Sequence, residues 1–521
     1  MASLWSKYFA SCKSRLSAIA RSCFLGRQRA RAKVKELKQR VAEQSEAARQ
    51  SQARIEQLEA ENRRLQECVR EAEAKQAQAT QAQPVNLPIG EVPPGQQFGA
   101  GMMTLCVNLA RAIGFRPTTV ALGVFFAWLH LAPAVPTYQT IRGWMQRIGL
   151  DRMQNVEKAD GGVWLTDHSN QIGKEKVLTI MRVRHWEPGA ALRLEDMDIL
   201  TLAPGEACKR EDVAKEYQTT AERCGVPRAV ETDGAVELRE PVETLGKPEE
   251  KPLTLRDPKH FLANQLEALL KQDVQWEAFT KQLGGTRSAL QQTELAHFIP
   301  PSFKTKARFM NLAPTLHWAS TLLWHLDHRE SQSRQGVTHE RMQEKLGWLE
   351  EFAPNIAQWQ ECQAVISTTL TLLNTEGIFQ GVADRLQERV AELARGDMSR
   401  ELVARMMKFL REHEAKLKPG ERMPLSTEIV ESAFGKFKQL ERQHARGGFT
   451  GLLLTFPVLL RATTPEEVRE SFARVKVADV KRWEKKHLPR TLAARRQLMF
   501  REANPKANNK AKKRRNANGT T

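Results

Sequence analysis

Between Gly161 and Leu238 the hydrophobic pattern changes period, and this block limits the possible folds more than any other. "GGVWLTDHS" and "KVLTIMRVR" are runs of apolar and β-branched residues on either side of the turn-like "NQIGKE", so they read as two strands. "REDVAKEYQTTAERCG" has the charge and spacing of a helix, and "PRAVETDGAVEL" reads as a short strand running into a loop. Two strands, a helix and a further strand call for an α/β domain.

The sequence around this block is helical. From Asp257 to about Lys418 the pattern is almost wholly so, and it carries Trp276, Trp318, Trp324, Trp348 and Trp359, which read as core anchors. "PLSTEIVESAFGKFK" (424–438) follows as an amphipathic helix capped by Ser426. "GFTGLLLTFPVLL" and a helix near 465–475 complete this part.

Upstream, "YQTIRGWMQRIGL" after Pro136-Thr137 reads as a capped helix with Ile141, Trp144, Met145 and Ile148 on one face. Its other face offers Tyr138, Gln139, Arg142, Gln146 and Arg147. With two apolar helices before it, this suits a helix-turn-helix whose last helix enters a major groove. An ordinary three-helix domain with a solvated face has the same pattern. Earlier still, Val34, Val41, Ala48, Ile55, Asn62 and Val69 recur every seven residues, with Leu37, Leu58 and Leu65 among the companion positions. That heptad predicts a coiled coil, and Asn62 at a core position favours two in-register strands. Pro84, Pro88, Pro93 and Pro94 mark a linker.

The net charge of +19 sits at the ends of the chain. Residues 1–40 hold eleven Lys/Arg and one acid, and residues 505–521 hold six and none. Such arms bind nucleic-acid phosphates by counterion release, or serve as solubilising tails. Seven scattered cysteines without a CxxC pair indicate neither a disulfide framework nor a zinc site, and suit a reducing compartment. The longest apolar run, Val120 to Val135, is interrupted by His130 and Pro133 and is too short to span a bilayer. "IGKEK" lacks the upstream glycine and following Ser/Thr of a phosphate-binding loop.

Three acids stand where chemistry can use them. Asp167 closes the first strand, Asp233 follows a later one, and Glu431 lies in the first turns of the 424–438 helix. Acids at strand ends suit hard cations, and three of them can hold the metal pair used in phosphodiester chemistry. Glu428 is the rival glutamate, although its place behind Ser426 is explained by the helix dipole. Residues 431, 435 and 438 share one helical stripe. Gly435 therefore clears space either for a DNA backbone or for close packing of the helix on the sheet.

The constellation "VWLTDH", "AVETDGA" and "ESAFGKFK" resembles the DDE transposases of bacterial insertion sequences. In that family one aspartate lies on the first strand, the second follows the fourth strand, and the glutamate precedes a basic residue by seven positions. The resemblance implies a ribonuclease H-like α/β catalytic domain in a mainly α chain. It implies two Mg²⁺ or Mn²⁺ ions held by Asp167, Asp233 and Glu431, and Lys438 on DNA near the cleaved end. His168 is expected to position substrate, and Gln139, Arg142 and Arg147 to contact DNA. The gap from Asp233 to Glu431 is much longer than in minimal members, as a helical insertion domain would make it.

The expected organisation is a basic arm (1–33), a coiled coil (34–83), a linker (84–99), a helix-turn-helix domain (100–152), a catalytic domain (160–256 with 425–475), the insertion (257–424) and a basic tail (476–521). The expected activity is metal-dependent hydrolysis at element ends followed by strand transfer into target DNA. The expected partners are duplex DNA and a second copy of the chain, in the cytoplasm and nucleoid of a bacterium and without a membrane. The alternative is a catalytically silent DNA-binding dimer derived from a transposase.

Overall fold

The computed structural model describes residues 17, 26, 33–34, 60–67, 69–70, 90–131, 133–172, 175–205, 208–302, 309, 312–328, 337–426, 428–443, 451–488 and 492–503. The chain divides into two units, 1–86 with 126–134, and 87–125 with 135–521. In the first, residues 60–67 and 69–70 are helical and exposed, with Asn62, Leu65 and Val69 of the heptad among them. The heptad positions from Leu37 to Leu58, and both basic arms except Ser17, Gly26, Lys33 and Val34, lie outside the described residues.

The second unit is mostly helical around one mixed five-stranded sheet. Its strands are β1 (Val163–Ile172), β2 (Glu175–Val183), β3 (Met197–Gly205), β4 (Ala229–Thr232) and β5 (Leu253–Arg256). Their spatial order is β3-β2-β1-β4-β5. β1 and β3 run antiparallel to β2, whereas β4 is parallel to both β1 and β5. β3 and β5 have no counterpart among the strands expected from sequence. "MDILTLAPG" is broken by Asp198 and Pro204, and "LTLR" is four residues in a charged, proline-bounded stretch.

The sheet has two apolar faces because helices cover both. On one, Trp164, Leu178, Ile180, Leu200 and Val230 pack with Val213, Tyr217, Ala221 and Cys224. The last four recur at helical spacing along the crossover helix Arg210–Cys224, which Gly225 ends at φ 95°. On the other face lies the helix Glu428–Arg442, which packs on β1. Its Phe434 and Phe437 stand 5.6 and 5.3 Å from Phe456, between ring centroids.

The helices Ala100–Ile113 and Tyr138–Gln154 do not stand apart from this body. Tyr138–Gln154 packs against Gly451–Leu460, Pro465–Arg474 and Val477–His487. A Cβ on Gly149 would lie 1.6 Å from the Leu454 carbonyl oxygen, so glycine is what allows that approach. The expected basic tail begins instead with the packed helix Val477–His487, which buries Val480 and Trp483.

Among the described residues of 258–414 there are seven α-helices longer than one turn, from Pro258–Leu270 to Asp397–Glu414. At their core Trp276 and Trp359 meet edge to face at 4.9 Å, and Trp359 Nε1 donates to Asp273 at 2.9 Å. Trp324, 51% exposed, is not an anchor. The chain then returns to the sheet, where Arg228 clasps Glu421 with two hydrogen bonds of 2.7 and 2.9 Å. No helix among the described residues is long and apolar enough to cross a membrane.

Candidate active site

The register of β1 on β4 sets the first two acids side by side. Thr166 pairs with Thr232, both fully buried, and the next residue along the chain from each is an aspartate. Asp167 does not close its strand as expected: β1 runs on to Ile172 and Asp167 still pairs with Thr179 of β2, whereas Asp233 directly follows the end of β4. Neighbouring strands lie about 4.8 Å apart, and the two aspartates are each one step beyond the same register pair. Asp233 is then held by a turn: its Oδ1 accepts from Ala235 N at 2.8 Å, and Gly234 takes φ 95°. A Cβ at Gly234 would meet the Arg256 side chain at 2.6 Å.

Burial, with the charges of Asp233 and Glu431 adding to it, pushes the Asp167 carboxyl up to about 7. The His168 backbone N–H, 2.6 Å from Asp167 Oδ1, and the His260 charge oppose the rise. Asp167 therefore feels the charges of two acids remote in sequence. They do not form a closed cage, because among the described residues no three His, Cys, Asp or Glu side chains stand close enough to hold an ion.

Glu428 and Glu431 lie one turn apart at the start of Glu428–Arg442, behind Ser426, whose Oγ accepts from Glu428 N at 3.2 Å. Both face Lys259, whose Nζ lies 3.1 Å from Glu428 Oε1 and 3.0 Å from Glu431 Oε2. Asn374, from the helix Ala353–Glu376, donates to Glu428 Oε2 at 2.9 Å. Lys259 was not anticipated from sequence. The available signal was the cap Asp257 directly after β5, which aims the first helical turn at the strand ends. Asp257, fully buried, accepts from Lys259 N at 3.0 Å and bonds His260 Nδ1 at 2.5 Å. Burial works against the His260 charge, but the bond to Asp257 and the negative charges of Asp257, Asp233 and Glu431 hold its pKa above the ordinary value.

Beneath these groups lies Glu231, fully buried on β4. Its Oε2 accepts from Ser426 N at 3.1 Å, so it ties the strand to the start of the glutamate helix. Burial, with the Asp257 charge adding to it, pushes its carboxyl well above the usual range.

The remaining expected residues divide. Lys438 is exposed and lines, with Ser169 and Thr179, a small cavity on the Asp167 face of the sheet. His168 alternates to the opposite face, paired with Leu178 of the crossover-helix core, where burial and then Lys176 push its pKa down to about 4. A substrate-positioning role beside Asp167 is not what that orientation offers. Gln139 and Arg142 are exposed on Tyr138–Gln154. Arg147 is only 6% exposed; it donates to the Val475 and Phe472 carbonyls and stacks on the Phe472 ring at 3.7 Å. It is thus a packing residue, drawn inward because it satisfies the carbonyls that end Pro465–Arg474. A Cβ at Gly435 would meet nothing within 4 Å, so close packing on the sheet does not explain that glycine.

No family model matches the chain, and no curated protein is similar to it. Among solved structures, the Drosophila P element transposase strand transfer complex is similar at 10% identity and a TM-score of 0.36, over 72% of this chain and 94% of that chain. A likeness this slight bears neither on fold nor on function.

Proposed function

We propose that this chain is a DNA transposase that hydrolyses a phosphodiester at element ends and joins the freed end to target DNA. The observation that carries the reading is the register that sets Asp167 and Asp233 side by side, with the helix-borne Glu431 within electrostatic reach of Asp167. The strand order β3-β2-β1-β4-β5, with the crossover helix between β3 and β4, supports a ribonuclease H-like domain built from residues 160–256 and 425–475. Residues 257–424 are then its helical insertion.

Two aspartates and a glutamate are hard oxygen donors suited to Mg²⁺ or Mn²⁺. The Asp167 carboxyl, raised by burial and by neighbouring negative charge, is one that a divalent cation would relieve. Asp167, Asp233 and Glu431 would hold the ions, which when bound supply Lewis acidity for the attacking and leaving oxygens. Asp167 must first lose its proton. His260, held by Asp257, offsets the negative charge of the cluster, and Lys438 offers an ammonium to a phosphate on the Asp167 face. Gln139 and Arg142 would meet duplex DNA, the basic arms would hold phosphates, and the heptads would pair two copies so that two ends are joined together.

The test is Mg²⁺- or Mn²⁺-dependent nicking of DNA taken from the flanks of the reading frame. Alanine at Asp167, Asp233 or Glu431 is expected to abolish nicking and leave DNA binding measurable; nicking retained by Asp233→Ala would defeat the assignment. A second reading, a silent DNA-binding dimer, is favoured by one observation: Lys259 occupies the Glu431 carboxylate and no three-ligand cage is closed among the described residues. Binding by the wild-type chain without nicking would select it.

A further inference from the structure

The two glutamates that open the helix Glu428–Arg442 share one cation. Lys259 Nζ bridges Glu428 Oε1 at 3.1 Å and Glu431 Oε2 at 3.0 Å, with the lysine side chain 20% exposed. Its place is set from both sides. Asp257 caps its helix, and Phe261 stacks on Phe409 at 4.2 Å, which ties the Pro258–Leu270 helix to Asp397–Glu414. Glu428 is held a second time by Asn374. Among the described hydrogen bonds, Glu431 has Lys259 as its side-chain partner and no other.

We propose that Lys259 is a tethered cation that holds Glu431 in the free protein and competes with a divalent ion for it, with Glu428 as the carboxylate that keeps the lysine when Glu431 is released. The inference rests on the reading of Asp167, Asp233 and Glu431 as ligands. Its physical basis is charge and distance. A divalent ion carries twice the charge of an ammonium and binds carboxylate oxygen at about 2.1 Å, so it can displace Lys259 from Glu431. Losing both carboxylates would leave the partly buried ammonium without an anion, which is costly; Glu428 removes that cost. The pair of glutamates one turn apart thus has two roles, one ligand and one resting partner.

Mn²⁺ titration of the full chain, followed by the paramagnetic signal of the free ion, tests this without reference to activity. Lys259→Gln is expected to bind Mn²⁺ about tenfold more tightly than wild type, the scale of one charge-assisted hydrogen bond. Lys259→Arg should stay near wild type. Glu428→Gln should bind more weakly, because Lys259 then has Glu431 alone, and this variant decides the matter if Lys259→Gln fails to fold. Unchanged or weaker binding by Lys259→Gln, or unchanged binding by Glu428→Gln, overturns the proposal. Asp233→Asn separates the two levels. If it loses Mn²⁺ while Lys259→Gln behaves as wild type, the tethered cation falls and the ligand assignment stands. If it binds as wild type does, the ligand assignment falls too.

Discussion

Asp167 shows how one side chain couples stability to chemistry. Its carboxyl titrates near 7 in the folded chain and in the ordinary carboxylate range, about 4, once unfolded. Between those values the folded state keeps a proton that the unfolded state has released. Stability therefore falls as pH rises through that window and levels off above it. Asp167→Asn removes the dependence and, without divalent ions, should stabilise the chain at pH 8 by roughly 1–3 kcal/mol while changing little at pH 4. Urea titrations at the two pH values measure this. The same proton must leave before an ion is held, so Mn²⁺ affinity should rise between pH 6 and 8 in the wild type and lose much of that rise in Asp167→Asn. Arg147 makes the opposite point, since its chemistry looks functional and its place is structural. Arg147→Ala should cost roughly 2–4 kcal/mol through unpaired carbonyls and the absent ring stacking. DNA affinity, measured where the variant is folded, should change far less than in Arg142→Ala.

At the scale of the element, two helical glycines look alike in sequence and have opposite physical reasons. Gly149 lets Tyr138–Gln154 lie against the backbone at Leu454, so alanine there forces the elements apart and should cost several kcal/mol, as overpacking does. Gly435 faces open space on Glu428–Arg442. Gly435→Ala should raise stability by up to about 1 kcal/mol, the ordinary helix preference. If a DNA backbone lies on the stripe it shares with Glu431 and Lys438, the same variant should nick more slowly. Thermal melts and nicking rates on one preparation separate fold from function at this residue. The helix itself is placed by Glu231, which receives the Ser426 N–H at its start, and by Phe434 and Phe437 against Phe456.

For the whole molecule, the balance of charge matters more than any one ion pair. The arms carry most of the net +19, while the body between them is nearly neutral. Removing residues 505–521, with six Lys/Arg, should weaken DNA binding at low salt. It should also flatten log K against log salt by up to about 0.9 for each phosphate no longer neutralised. Site-specific nicking by the truncated chain at saturating DNA should persist. The Arg228–Glu421 clasp closes the long helical excursion back onto β4.

Local chemistry was written plainly in the chain. β1, β2 and β4, the crossover helix, the cap at Ser426 and the place of Asp233 after its strand all follow from apolar period, β-branching and capping, which act over a few residues; Asp167 lies within β1, which runs on to Ile172. The strands β3 and β5, the inward turn of Arg147, the face taken by His168 and the reach of Lys259 were decided only by the tertiary structure. Each depends on which surface a neighbouring element presents, and neighbours in space are remote in sequence. The sheet register sets Asp167 beside Asp233, and the chain returns after the helical excursion to start a helix within electrostatic reach of Asp167. A one-dimensional pattern can nominate the acids; only the packed sheet and the lysine beside it decide how they stand.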